Sequence, residues 1–213
     1  MDRIKIFSKS QFSLFWWSGT ISSFGDWAHI FGSVALASYL GTEAGNSELT
    51  AIVPLIARIV PALLSSFAGL IADRYDKKII MIFCDVIRMI FVMFLFFADN
   101  LYSIFLINFL SEIFSLIRQP SREAVVPEIV NKENLVKANS LFAIGTYATL
   151  PIASLALGVV SDWNSLELTN VTGNGWSGSI IFLFDTFTFM ASVIILYFLK
   201  NQNKNTINKK PDV

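Results

Sequence analysis

Six stretches of this chain are long and apolar enough to cross a lipid bilayer, and they constrain its fold more than any other feature. They comprise residues 13–40, 51–72, 78–98, 101–122, 138–160 and 178–199. A bilayer core needs about 20 mostly apolar residues of helix, and a helix bonds its own backbone there. The sequence therefore predicts an all-α membrane protein. It would have a cytoplasmic N-terminus (1–12), six transmembrane helices (13–199) and a polar cytoplasmic tail (200–213).

The composition supports lipid as the solvent. Hydrophobic residues make up 54% of the chain and charged residues 15%, with 20 phenylalanines. A soluble domain usually carries about 25% charged residues. The formal net charge is zero and gives no reason to expect a nucleic-acid partner. The single cysteine, Cys84, excludes an internal disulfide.

The loop charges predict the orientation of the chain. The loops 41–50, 99–100 and 161–177 contain acidic residues but no lysine or arginine. The opposite side of the membrane would hold the basic residues Arg3, Lys5, Lys9, Arg74, Lys77, Lys78, Arg122, Lys132, Lys137, Lys200, Lys204, Lys209 and Lys210. Because basic loops stay in the cytoplasm, we expect both termini there, in a multi-pass protein of the inner (plasma) membrane.

The connection between the second and third stretches carries the most specific spacing in the chain. It reads Gly69, then Asp73-Arg74, then Lys77-Lys78. Gly69 would permit a close helix approach, and Asp73 would cap the next helix or pair with a cation. The basic residues would hold this loop at the cytoplasmic face.

This G-x-x-x-D-R-x-x-K-K spacing resembles the signature loop of the major facilitator superfamily, with Asp76 in place of the usual second glycine and lysines in place of arginines. The resemblance implies the N-terminal six-helix half of a two-lobed transporter, built as a 3+3 repeat. It also implies that Gly69, Asp73, Arg74, Lys77 and Lys78 form a cytoplasmic gating loop.

Two further segments are similar to the macrolide-efflux and enterobactin-exporter-like branch of that superfamily. They are Ser23-Phe24-Gly25-Asp26-Trp27 and the 120–141 segment, with its P-x-R, second proline and E-N-L-x-x-A-N run. Exporters of the superfamily often have a glycine before the proline of helix 5, whereas this chain has Leu150 before Pro151. The direction of transport therefore stays open.

Several ionisable side chains fall at membrane depth, where a charge costs at least about 2.5 kcal/mol and usually faces a cavity or a partner. Asp26, His29, Arg58 and Asp185 are predicted to form a central belt, with Glu112 nearby. These five are the candidate substrate-binding or proton-coupling residues. The alternative is that they are structural ion pairs, such as Asp26 with Arg58.

Three other charged residues, Asp85, Arg88 and Arg118, are candidates for structural ion pairs, with Glu112 and Arg88 as one expected pair. The fourth stretch carries a polar stripe that should face inward: Asn108, Ser111, Glu112, Ser115, Arg118 and Arg122. Its three- and four-residue spacing places these residues on one helix face.

The expected function is secondary active transport, with efflux of a small amphipathic molecule coupled to protons. The chain would be a truncated or split half-transporter that joins a second six-helix half or a second copy of itself. Two alternatives stay open: an inactive truncated product, and the membrane domain of an ABC-type transporter. We expect no catalytic residues, no metal site and no cofactor, because the chain has one histidine and lacks nucleophile or metal motifs. The expected partners are the lipid bilayer and a small-molecule substrate.

Overall fold

The computed structural model describes residues 10–42, 45, 47–63, 69, 74–161 and 176–199. Its main helices, in chain order, are α1 (Ser10–Thr42), α2 (Val53–Ala62), α3 (Lys77–Leu95), α4 (Leu101–Ile129), α5 (Leu135–Ser161) and α6 (Ile180–Phe198). A one-turn helix, Ser47–Thr50, precedes α2, and 3-10 turns at Lys132–Asn134 and Ser177–Ser179 precede α5 and α6. Each of the six apolar stretches thus contains a helix.

The helices differ in how well they suit a membrane by length and composition. Within the described residues, the segments Leu101–Ile129, Lys132–Val160 and Ile180–Phe198 are long and apolar enough to cross one, and Val53–Ala62 is a shorter apolar helix. Helix α1 has 33 residues, a length of about 50 Å, which exceeds a bilayer core of about 30 Å. Helices α1 and α3 are not among the segments that meet this measure, and α3 carries four charged residues, Lys77, Lys78, Asp85 and Arg88. A count of six spans therefore stays a prediction.

The helices pack as a bundle around α1. Helix α1 contacts α5 and α6, α3 lies between α4 and α6, and α2 packs on α4. The starts of α1, α3 and α5 lie together with the ends of α4 and α6, so the helices from α3 to α6 alternate in direction along the chain. We call this the basic end, because Lys77 and Lys78 lie there.

Apolar side chains fill both ends of the bundle. The cluster at the basic end includes Phe12, Phe15, Met81, Val126, Phe142 and Leu196. The cluster toward the opposite end includes Leu36, Leu95, Phe96, Ile104, Trp176 and Phe182. Between these clusters the helices bury charged and hydroxyl side chains, and this arrangement creates the candidate site.

The α1–α5 contact is held by two indole groups. Trp16 Nε1 donates to the carbonyl of Leu141 at 2.9 Å, and Trp27 Nε1 donates to the carbonyl of Thr146 at 2.9 Å. Gly145 lies between them, and a Cβ there would be 3.2 Å from the Trp16 indole nitrogen. A small residue is therefore needed for the two helices to approach this closely.

Two details of local structure bear on the expectations from the sequence. Helix α4 continues past residue 122 to Ile129, through Pro120 and Pro127. Neighbouring helices can stabilise such prolines even though each one removes a backbone donor. At Gly69, an added Cβ would meet no described atom within 4 Å. Residues 64–68 and 70–73 lie outside the described part of the chain, so the expected close helix approach at Gly69 stays a prediction.

Asp73 lies outside the described residues, and so do the termini, 1–9 and 200–213, and most of the loop 161–177. The N-cap of α3 is instead Asp76. Its carboxylate accepts from the backbone N–H groups of Lys78 (2.9 Å) and Ile79 (3.2 Å). The residue that departs from the superfamily pattern therefore begins this helix.

Candidate functional site

The candidate site is a polar layer across the middle of the bundle, formed by Asp26, His29, Arg58, Asp85, Arg88, Asn108, Glu112, Arg118, Asp185 and Ser192. Five of the six main helices contribute a charged residue to it. The sequence places these residues in otherwise apolar helices, where an unpaired charge would be costly.

One ion pair of the layer is almost fully enclosed. Arg118 Nε lies 2.6 Å from Asp85 Oδ1, and the two side chains are 6% and 0% exposed. The other carboxylate oxygen of Asp85 accepts from Ser192 Oγ at 2.9 Å, and Ser192 lies 2.9 Å from Ser18 Oγ. These contacts join α1, α3, α4 and α6, so this pair fixes the packing of the bundle.

A second ion pair joins α1 to α3. Arg88 contacts the carboxylate of Asp26 and is 3% exposed, whereas Asp26 is 29% exposed. The Arg88 guanidinium carbon also lies 4.5 Å from the centre of the Phe189 ring, a cation–π contact that helps to stabilise the buried cation. Asp26 thus has one side on a buried arginine and the other side open.

A third ion pair joins α2 to α4. Arg58 and Glu112 are 2.7 Å apart and 19% and 13% exposed. This pairing corrects the expected partners, because Asp26 pairs with Arg88 and Glu112 with Arg58. The difference arises because helix rotation decides which of several charges at one level come together.

Of the ion-pair contacts of the layer, the one between His29 and Asp185 is the most deeply buried. His29 Nδ1 lies 3.5 Å from Asp185 Oδ2, and the side chains are 2% and 0% exposed. His29 Nε2 lies 2.9 Å from Asn108 Oδ1. Asn108 was predicted only as part of an inward-facing stripe, and its contact with histidine had no signal in the sequence.

A glycine makes this contact possible. A Cβ at Gly25 would lie 2.0 Å from Asp185 Oδ1 and 2.1 Å from Thr188 Oγ1. Thr188 Oγ1 in turn lies 3.1 Å from Asp185 Oδ1. Gly25 therefore leaves the space that the Asp185 carboxylate occupies between α1 and α6.

A polar cavity of about 500 Å³ opens beside the layer, between α1, α4 and α5. Its polar and charged lining residues are Ser23, Asp26, Gln119, Arg122, Glu123, Asn139 and Thr146. The Arg122 guanidinium lies 5.6 Å from the centre of the Phe142 ring, and Gln119 donates to Glu123 at 2.6 Å. The cavity therefore presents charges of both signs at the edge of an apolar bundle.

A second cavity, of about 540 Å³, lies further along α1 and α5, toward the opposite end. Its lining is almost entirely apolar: Ile30, Phe31, Val34, Ala35, Ser38, Ala51, Leu55, Ser154 and Leu157. Tyr147 of the polar cavity and Ser154 of the apolar one are seven residues apart on α5, about 10 Å along the helix. The two cavities together give this side of the bundle a polar and an apolar half.

The described part of the predicted gating loop ties α3 to two other helices at the basic end. Lys77 Nζ lies 2.5 Å from Glu128 of α4. Lys78 Nζ donates to the backbone carbonyls of Tyr197 (2.8 Å) and Leu199 (2.5 Å), at the end of α6. Arg74 is exposed. The two lysines therefore connect α3 to α4 and α6, and they also add positive charge to the surface of the basic end.

A model of the Major Facilitator Superfamily matches residues 15–212 of the chain, which includes α1 from residue 15 onward and all of α2 to α6. The chain belongs to the Major Facilitator Superfamily. It is therefore a multi-pass membrane protein of a transport family, and the ABC-type alternative is set aside. The family fold accounts for the all-helical architecture observed.

Curated relatives from the superfamily match most of this chain. The lysophospholipid transporter LplT of Enterobacter sp. (strain 638) is 26% identical over 161 residues, 76% of this chain and 39% of the relative. LplT of Pectobacterium carotovorum subsp. carotovorum (strain PC1) is 29% identical over 143 residues, 67% and 34% of the two chains.

A third relative is the uncharacterized MFS-type transporter YfiS of Bacillus subtilis (strain 168). It is 27% identical over 128 residues, 60% of this chain and 30% of the relative. The chain thus spans 39% or less of the length of each of these relatives. They support membership of the superfamily and give no support to the macrolide-efflux or enterobactin-exporter branch.

Proposed function

We propose that this chain forms six transmembrane helices of a cell-membrane transporter, with both termini in the cytoplasm, and builds one wall of its substrate cavity. The loop charges support this orientation, because the basic end carries Arg74, Lys77, Lys78 and Lys132. Major facilitator transporters hold substrate between two six-helix halves. A second set of six helices would supply the other wall, as part of a longer chain, a partner chain or a second copy.

The proposed substrate is a small amphipathic molecule with a charged headgroup. The observation that carries this proposal is the pair of cavities along α1 and α5, one lined by Asp26, Arg122 and Glu123 and the other by apolar side chains. An amphipathic molecule lying along these helices would place its headgroup in the first and its chain in the second. Its polar group would then be paired and its apolar surface kept from water.

A lysophospholipid has this chemistry, with one acyl chain and a phosphate in its headgroup. Two of the relatives carry that substrate in their names. Arg122 would pair with the phosphate, since a guanidinium matches its oxygens with two parallel hydrogen bonds. Glu123 and Asp26 would attract a headgroup ammonium. Macrolides and siderophores, suggested by the narrower sequence resemblance, are the competing substrates.

We further propose export coupled to protons, with the polar layer as the coupling element. The supporting observation is that Asp26 belongs both to the layer and to the polar cavity. Its protonation state would therefore respond to the ligand and to Arg88. The contacts of Lys77 and Lys78 at the basic end would open and close the cytoplasmic side, because both are accessible to water and can exchange partners.

Ligand binding by the full chain in lipid nanodiscs tests this proposal. We expect a fluorescent lysophosphatidylethanolamine to bind and a macrolide to compete poorly. Arg122→Gln should weaken the binding by about tenfold or more, because a hydrogen bond to a charged group contributes about 1.5–3 kcal/mol. Binding would be followed by fluorescence anisotropy.

Lys132→Gln is the matched control, since it also removes one positive charge at the basic end but lies outside the cavity. It should leave the affinity unchanged. Equal weakening by both substitutions would indicate a general charge effect and refute a headgroup site. Stronger binding of the macrolide would replace the lipid with the competing substrate class.

A further inference from the structure

The apolar cavity is elongated along α1. Its lining residues on that helix extend from Ile30 to Ser38, a rise of about 12 Å at about 1.5 Å per residue. Leu55 of α2 and Leu157 of α5 belong to its other walls. The cavity therefore follows the direction that an extended acyl chain would take beside α1.

Three aromatic side chains mark the end of this cavity that is nearer to the polar one. The centre of the Trp27 ring lies 6.5 Å from that of Tyr147 and 6.3 Å from that of Phe31. Tyr147 lines the polar cavity and Phe31 lines the apolar one. Because the Trp27 indole donates to the carbonyl of Thr146 at 2.9 Å, it is held in one orientation between the two cavities.

A close contact with α1 ends the cavity at its far side. Ser38 and Ala51 are the lining residues nearest the opposite end of the bundle. Just beyond them, Thr50 packs on α1 at Gly41, where an added Cβ would lie 2.0 Å from Thr50 Oγ1. Thr50 is 8% exposed. An acyl chain cannot pass between α1 and this turn, because Thr50 already fills the space at Gly41.

The side of the cavity between α1 and α5 ends at the same level. The turn Ser177–Ser179 contacts both helices. The Trp176 ring, just before this turn, stacks on that of Tyr39 with the ring centres 6.4 Å apart. Tyr39 directly follows Ser38 in α1. Turns thus close the cavity on both sides of α1, whichever helices cover its open side.

We propose that Ser38 and Ala51 form the closed end of an acyl-chain site that selects ligands by chain length. This inference rests on the proposed transport function and adds a length limit to the proposed substrate. Trp27 and Ser38 are 11 residues apart, a rise of about 16.5 Å. An extended chain advances roughly 1.25 Å per carbon, since its bonds of about 1.5 Å alternate in direction. The preferred chain would therefore have about 12 to 14 carbons.

A closed end affects the affinity of chains on both sides of this length. A shorter chain leaves part of the cavity unfilled and loses contacts with its walls. A longer chain must bend or press against Ala51 and Thr50, and overpacking is unfavourable. The hydrophobic effect alone would give no such optimum, because the bilayer that holds the free ligand is also apolar.

Competition between lysophosphatidylethanolamines of different chain length and the fluorescent ligand tests the proposal, with the full chain in nanodiscs. The competitors would have about 10 to 18 carbons, a range that brackets the expected length. Each affinity is expressed per mole fraction of lipid, so that the stronger partitioning of longer chains into the bilayer cancels. We expect the tightest binding at about 12 to 14 carbons, and binding weaker by about fivefold or more at 18.

Two substitutions shorten the cavity from facing walls. Ala51→Phe and Ser38→Phe should each lower the preferred length by about two to four carbons, because a ring would occupy the closed end. Ala62→Phe is the matched control, since Ala62 is exposed near the other end of α2 and lines neither cavity. It should keep the preference of the wild type. Either shortening variant is sufficient if the other fails to fold.

Equal affinity at every chain length would overturn the length limit, and so would a preferred length that neither shortening variant changes. If Arg122→Gln still weakened binding in that case, the proposed headgroup site would stand. A length preference that both variants shift, together with unchanged affinity in Arg122→Gln, would instead refute the headgroup site and support the acyl-chain site. The two proposals can therefore fail separately, whereas a lack of binding at every length would refute both.

Discussion

Gly25 occupies the point where α1 leaves space for the buried carboxylate of α6. A methyl group at this position would lie 2.0 Å from Asp185 Oδ1 and 2.1 Å from Thr188 Oγ1, well inside contact distance. Both atoms belong to short side chains in the middle of α6, with little freedom to move away. The sequence alone does not show why Gly25 must be small, because the residue that it contacts, Asp185, is 160 positions later in the chain.

We expect Gly25→Ala to lower the free energy of unfolding by about 1–3 kcal/mol, as overpacking of a dense interior usually does. The matched control is Gly158→Ala in α5, where an added Cβ meets no described atom within 4 Å. That change should be neutral or stabilising by up to about 1 kcal/mol, because alanine favours helix. Thermal unfolding in detergent micelles measures both. Equal melting temperatures for the two variants would contradict the close α1–α6 contact.

The positions of the helices could be predicted from the sequence, but their facing partners could not. Apolar length and charge spacing locate a helix because they depend on residues close together in the chain. The exchange of partners between Asp26 and Glu112 shows the limit. Arg58 and Arg88 both lie in the polar layer, and the rotation and neighbours of α2 and α3 select the pairs. The contact of Asn108 with His29 depends on the same long-range packing.

The first turn of α3 shows how one residue can replace a family feature. The superfamily pattern has a glycine where this chain has Asp76, and Asp76 caps the helix through two backbone N–H groups. Both residues are favourable N-caps, which explains why the substitution is compatible with the fold. Because the cap fixes where α3 begins, it also positions the next two residues. Lys77 contacts Glu128 of α4, and Lys78 contacts the end of α6.

We expect Asp76→Ala to destabilise the protein by about 0.5–2 kcal/mol, whereas Asp76→Gly, which restores the common family residue, should cost only a few tenths. The difference isolates the cap because both variants remove the same charge. Chemical unfolding followed by circular dichroism would measure it. If alanine and glycine proved equally stable, the cap would contribute nothing and the charge of Asp76 would explain any loss.

The two ends of the bundle differ in charge, and this difference predicts the orientation of the protein in the membrane. Lysines lie at the basic end, while Asp99 and Asn100 begin the turn into α4 at the opposite end. The native cysteine, Cys84, is 1% exposed and will react poorly with a thiol reagent. The labelling of a cysteine introduced at one end of the bundle can therefore show on which side of the membrane that end lies.

We expect Asn100→Cys to react with a membrane-impermeant maleimide in intact cells, and Lys132→Cys to react only after the membrane is opened. The reason is that positively charged loops remain on the cytoplasmic side. Mass-tagging on a gel measures the labelled fraction, with the unmodified protein as the control for Cys84. Labelling of Lys132→Cys in intact cells would reverse the proposed orientation.

The ion pairs of the polar layer also bear on how the chain is made. Asp26 of α1 pairs with Arg88 of α3. Arg58 of α2 and Asp85 of α3 pair with residues of opposite charge in α4. Until α4 has been synthesised, Arg58 and Asp85 lack the partners that they have in the bundle. The first three helices are thus poor candidates for release into the bilayer one at a time. Helix α4 brings both Glu112 and Arg118, so its synthesis completes the three ion pairs between carboxylates and arginines in the layer.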